Sequence, residues 1–190
     1  MFHFNILLFH NVHYTLKSGI IKYQKEGKMI SKIIKKMIRY SNGNIHDINH
    51  FLKVYAYAKT IGETENLDSK TMFILETSAI IHDISCPLCR EKYGNTKGTL
   101  QEKESAPLVL EFLKEFNLED EIEKRILYLI EHHHTYNNIE ELDYQILIEA
   151  DFLVNADEEN YSKDKIKEFK NKIFKTKAGT TLLDTIYMLK

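Results

Sequence analysis

The sequence predicts an all-α fold, a bundle of helices. Three observations carry this. Apolar residues recur at three- and four-residue spacing along most of the chain, the period of a helix face. Only 7 Gly and 2 Pro occur in 190 residues, too few for a fold rich in sharp turns. No stretch alternates apolar and polar residues for more than a few positions, as a half-buried strand would.

Each helix has its own signal. Ile30, Ile33, Ile34, Met37 and Ile38 mark an amphipathic first helix that ends near Tyr40, before the breaker "SNGN" at 41–44. A second runs from about Asp47 to Gly62, with Phe51, Val54, Ala58 and Ile61 on one stripe. Asp68 or Ser69 can cap a third, which continues through Leu75, Ala79 and Ile80 to His82-Asp83. Residues 84–100 contain Pro87, Gly94 and Gly98 among polar residues and are expected to form a long loop, the kind that often carries function. Further helices are expected over about Gln101–Phe116, Leu118–Glu131, Asp143–Val154, Ser162–Phe174 and Thr180–Leu189. The late apolar residues Phe169, Ile173, Leu182, Leu183 and Ile186 suit either closure of the bundle or a homodimer face.

Composition narrows the function classes. Apolar residues make up 43% and charged residues 28%, a balance that suits one globular domain with a real core. A net charge of −2 gives no global basic excess, so no nucleic-acid partner is expected. No run reaches the roughly 18 apolar residues of a membrane span, so no membrane partner is expected either. Two Cys make no disulfide framework, and a cytoplasmic location is expected. The N-terminal stretch lacks a basic n-region and a small-residue cleavage site. Because a purine-rich ribosome-binding site translates in frame as Lys-Glu-Gly, the "KEGKM" at 25–29 suggests that Met29 is the true start. Residues 1–28 are then a non-native or disordered extension, and 29–190 the domain.

Ionisable residues fall on inward helix faces. His50 is followed by Val54, Ala58 and Ile61, at helical spacing on the apolar stripe. His82 and Asp83 continue the Leu75/Ser78/Ala79 face. Asp151 lies four after Leu147 and three after Ile148. Ile122, Ile126, Leu129 and Ile130 lead to His133 in the same way. A lone inward His is usually a hydrogen-bonded core residue, and a lone inward Asp often caps a neighbour. Several together are different, because burying unpartnered carboxylates and imidazoles costs on the order of several kcal/mol per group. A divalent cation offsets that cost. Mixed imidazole and carboxylate donors suit Mn, Fe, Zn, Co or Ni, or Mg where carboxylates and water dominate.

The order His50 … His82-Asp83 … Asp151 resembles the H…HD…D signature of the HD-domain metal-dependent phosphohydrolases. "HFLKVYAYAKTIGE" (50–63) is similar to that family's first motif, with Lys53 and Val54 at offsets three and four from the ligand His. "SAIIHDI" is similar to its second motif and "ILIEADFLVN" (146–155) to its last. The resemblance covers about residues 29–155. It implies an HD-domain-like helical bundle holding one or two divalent metals, with His50, His82, Asp83 and Asp151 as ligands. Some branches add His ligands for a second metal. The resemblance points to His133 first and His132 next within "EHHHT", and to Glu102, which faces inward better than Glu104, where those branches have a His. The cyclic-dinucleotide branch carries a Gly-Tyr-Pro motif after its His pair; "HHHTYNN" lacks it.

The implied reaction is hydrolysis of a phosphate ester or anhydride of a nucleotide or similar small molecule by attack of metal-bound water. Asp83 would bind metal and orient that water. Lys53, one turn from His50, and Arg125, on the Leu129/His132 side of its helix, are candidate phosphate contacts, as are Arg90, Lys92 and Lys97 of the expected loop. Cys86 and Cys89 have no second Cys pair to complete a zinc site and no thioredoxin-like context, so they are expected to be loop residues near the site mouth. The alternative is a non-catalytic HD module that binds a nucleotide or metal for signalling. A purely structural bundle leaves the inward ionisable groups unexplained.

Overall fold

Among residues 26–189, which the computed structural model describes, the regular structure is helical and contains no strand. Residues 1–25, most of the segment read as an extension, lie outside the described residues, while 26–28 join the first helix. The helices are α1 (26–40), α2 (Ile45–Thr64), α3 (Ser69–Ile81), α4 (Cys86–Tyr93), α5 (Gly98–Leu113), α6 (Asp120–His132), α7 (Leu142–Glu158), α8 (Lys163–Ile173) and α9 (Lys177–Ile186), with a 3₁₀ turn at Lys114–Phe116.

Local chemistry starts these helices where it can. The Asn44 side chain accepts from Asp47 N at the head of α2, and Asp68 accepts from Lys70 N and Thr71 N at the head of α3. Each satisfies an amide that has no partner within the helix.

Two helices are buried on nearly every side. In α3 each residue from Phe73 to Ile81 is buried, and in α7 each from Asp143 to Val154. Helices buried on nearly every side form the centre of a bundle. The others pack around this pair: α2 against both α3 and α7, α6 against α3, and α5 against α6. The stretch Ser69–Tyr93 is long and apolar enough by composition to cross a membrane, which departs from the sequence expectation, but 78% of its apolar window is buried inside the protein.

The expected loop at 84–100 contains α4. Pro87 sits in the first turn, where its missing N–H costs no intrahelical bond, and Gly94, at φ +69°, ends the helix in the left-handed region. Both residues are loop signals in the sequence, yet together they bracket a short helix. Helix α7 also runs four residues beyond the expected Val154.

The C-terminal helices close the bundle. Leu183 is fully buried, and Phe169, Ile173 and Leu182 pack on the core, with Phe152 and Phe169 stacked at 3.7 Å between ring centroids. Ile186 remains partly exposed. Buried Glu149 fixes the link between α8 and α9: it accepts from Lys175 N at 2.7 Å, Thr176 N at 3.0 Å, the Thr176 hydroxyl and Gln145 Nε2 at 2.7 Å.

Candidate metal centre

Three imidazoles converge on two carboxylates where α2, α3, α6 and α7 meet. His50 Nε2 lies 3.1 Å from His82 Nε2, 3.3 Å from Asp151 Oδ1 and 3.5 Å from Asp83 Oδ2. His82 Nε2 is 3.4 Å from Asp151 Oδ1, and His133 Nε2 is 3.6 Å from Asp83 Oδ1. His82 and His133 are fully buried, His50 and Asp151 nearly so, and Asp83 keeps 26% of its side chain exposed.

The backbone sets this up at two helix ends. His82 and His133 are the C-caps of α3 and α6. The last carbonyls of a helix lack amide donors. Each His answers by donating Nδ1–H to the carbonyl three residues back, His82 to Ala79 O at 2.9 Å and His133 to Ile130 O at 2.8 Å. His50 sits inside α2 and instead donates Nδ1–H to Glu158 Oε2 at 2.8 Å. A neutral imidazole carries one N–H. With all three Nδ1 atoms committed as donors, all three Nε2 lone pairs point inward.

Such an arrangement needs a positive centre. Two lone pairs facing each other at 3.1 Å, with carboxylate oxygens alongside, repel unless a proton or cation lies among them. The pKa shifts follow. Burial disfavours charge on His50, but the Asp151 hydrogen bond and the Asp83 and Asp151 carboxylates lift its pKa to about 10. Burial would raise Asp83 and Asp151, yet the neighbouring imidazoles hold both well below the usual carboxylate range. His133, although buried, is raised by Asp83. Protons therefore do the job that one divalent cation would do better, and the mixed nitrogen and oxygen donors fit such an ion. His133 Nε2 and His134 Nε2 also have no hydrogen-bond partner among the described residues.

Two candidate ligand groups share Asp83. One is His50, His82 and Asp83; the other is Asp83, His133 and His134. His134 takes the place expected for His132. The His132 ring stacks on Tyr128 and donates to Tyr128 O at 2.7 Å. Helical spacing cannot choose between them, because α6 ends at His132 and the next residues follow a turn. Burial, then the charge of adjacent His133, pushes the His134 pKa down to about 3, so its imidazole is neutral. Gly98 leaves it room: a Cβ there would sit 2.5 Å from His134 Cγ.

Three other expected site residues are otherwise engaged. Glu102 Oε1 accepts from His134 N at 3.1 Å and from Thr135 Oγ1 at 3.0 Å, which holds the turn after α6 and places Glu102 in neither ligand group. Lys53 Nζ bonds Glu158 Oε1 at 2.7 Å. Arg125 grips Asp143 through Nε at 2.9 Å and a terminal nitrogen at 2.6 Å. A cavity of about 320 Å³ opens over the cluster, and of the lysines and arginines considered only Arg90 lines it. Its guanidinium is bonded to Asp47, while Lys92 bonds Glu104 at 3.0 Å. Cys86 lines the same cavity from the first turn of α4, and Cys89 is buried; both thiols are free.

A family model described as HD domain matches residues 47–167, a span that includes all the residues of both ligand groups. No curated protein and no solved structure matches the chain.

Proposed function

Since the chain belongs to the HD-domain family, a superfamily of metal-dependent phosphohydrolases, we propose that it hydrolyses a phosphate ester or anhydride of a nucleotide or similar small molecule. The observation that carries this is the convergence of three Nε2 lone pairs, each fixed by an Nδ1 hydrogen bond, on two buried carboxylates.

His50, His82, Asp83 and Asp151 would hold the first divalent cation, and Asp83, His133 and His134 a second. A bound cation of this kind acidifies a water and offsets charge on phosphoryl oxygens. The chain's own residues do the rest. Asp83, a quarter exposed and common to both groups, accepts a hydrogen bond from the attacking water and aligns it. Arg90 is the phosphate contact in this scheme, since its pairing with Asp47 holds it at the cavity wall, whereas Lys53 and Arg125 do not line the cavity. Tyr136, Tyr161 and Asn155 also line the cavity, residue types suited to a base and its sugar. A cavity of about 320 Å³ accommodates a small molecule rather than a polymer.

The test is a hydrolysis screen of nucleoside mono-, di-, tri- and cyclic phosphates and a generic aryl phosphate, with Mn²⁺, Co²⁺ or Ni²⁺. Turnover is expected for at least one ester, with Asp83→Ala slower by at least about 10³-fold. No turnover with any substrate, or equal turnover by Asp83→Ala, removes the enzyme reading and leaves the non-catalytic binding module.

A further inference from the structure

We infer that Glu158 is a positioning residue for the metal centre, acting through His50. The inference rests on the metal reading of the cluster and goes beyond it by assigning a residue outside both ligand groups.

The three imidazoles are not held alike. His82 and His133 find their acceptors locally, in carbonyls left free by their own helix ends. His50 has no such carbonyl, because inside α2 the backbone acceptors are engaged in the helix. Its Nδ1–H goes instead to a carboxylate 108 residues away, Glu158 Oε2, at 2.8 Å. That bond selects the tautomer. A carboxylate only accepts, so the proton sits on Nδ1 and the Nε2 lone pair faces His82, Asp83 and Asp151.

Helix α7 makes the arrangement possible. Glu158 lies seven residues after Asp151, two turns along the same helix, so one face presents the ligand carboxylate and the supporting carboxylate to α2. Glu158 is itself held. Its Oε1 takes Lys53 Nζ at 2.7 Å, while exposed His46 stands 3.6 Å from Oε2. Lys53 lies one turn beyond His50 on α2, so it and His50 grip the two oxygens of one carboxylate. The side chain is 13% exposed, and its pKa is lowered: burial opposes that shift, and the Lys53 and His50 hydrogen bonds produce it. A carboxylate behind a ligating imidazole fixes the ring and raises its basicity toward a metal.

The experiment measures Mn²⁺ affinity of the full-length protein and of Glu158→Ala and Glu158→Gln, by calorimetry and by the free-Mn²⁺ EPR signal. The ¹⁵N shifts of the His50 ring are recorded on the metal-free proteins above pH 10, where the ring carries a single proton. Glu158→Ala is expected to weaken Mn²⁺ binding by about 10- to 100-fold and to redistribute the His50 ring proton between nitrogens. Glu158→Gln keeps an acceptor oxygen and is expected to restore the Nδ1–H tautomer and most of the affinity. If wild type binds Mn²⁺ and Glu158→Ala binds it equally well, Glu158 does not position His50. Equal loss in both variants with an unchanged His50 tautomer likewise overturns the inference. If wild type itself binds no Mn²⁺, the metal reading has failed, and the inference falls with it.

Discussion

His82 and His133 meet the same need with the same device. Each ends a helix, each donates Nδ1–H to a carbonyl three residues back, and each turns Nε2 toward the carboxylates. The side chain that completes a helix end is thereby aimed at the site. Three consecutive histidines follow α6's apolar face, but their environments differ sharply. His132 stacks on Tyr128 outside the ligand groups, His133 is fully buried beside Asp83, and His134 has a neutral ring that packs on His133 and an Nε2 without a hydrogen-bond partner. His134→Ala is therefore expected to abolish binding of a second Mn²⁺ while leaving the first, and His132→Ala to leave both in place. Stoichiometry from calorimetric titration separates the two outcomes. Two bound ions in His134→Ala would assign the second group wrongly.

At the scale of the element, helix ends decide the site. Helix α7 continues through "NADE", three of whose four residues are polar and not required by a hydrophobic period, and so delivers Glu158. The contiguous apolar run ends at Val154, so the hydrophobic period alone places the helix end there. Helix α4 was hidden for the converse reason: Pro87 and Gly94 are breakers inside a helix but natural residues at its two ends. Beyond the site, α8 and α9 depend on Glu149, whose oxygens receive two backbone amides, a hydroxyl and a side-chain amide in a fully buried setting. Glu149→Ala strands those donors. It is expected to cost about 3 kcal/mol in urea denaturation and to expose the chain beyond Ile173 to limited proteolysis. Unchanged stability would mean that water replaces the carboxylate.

For the whole molecule, the cluster ties folding to pH and to metal. In metal-free protein the His50 pKa of about 10 exceeds its unfolded value, so its contribution is complete below about pH 6.5 and is lost as pH rises through 10. Raised His133 acts in the same direction. His134, held near 3, has the opposite sign: its contribution is present above about pH 6.5 and is lost as pH falls toward 3. The lowered Asp83 and Asp151 add a further loss below about pH 4. Stability of the chelated protein is expected to peak near pH 6.5 in thermal melts. Mn²⁺ at about 100 times its Kd is expected to raise Tm by about 5–10 °C at pH 8, and by less at pH 6, where protons compete for the imidazoles. A metal increment that does not depend on pH would show that the imidazoles are not ligands.

By itself the sequence determined the all-α class, most of the helices and the convergent core of the centre. His50, His82, Asp83, Asp151 and His133 were legible because each continues a strongly apolar helix face, and burial of that face carries the side chain inward. Tertiary structure alone decided who partners whom. Lys53 neutralises Glu158, Arg125 is bound by Asp143, Glu102 braces a turn, and Arg90 pairs with Asp47 at the cavity wall. A helix period fixes the direction of a side chain from its own axis. Its partner is set by how the other helices pack, and at Glu158 that partner lies 108 residues away.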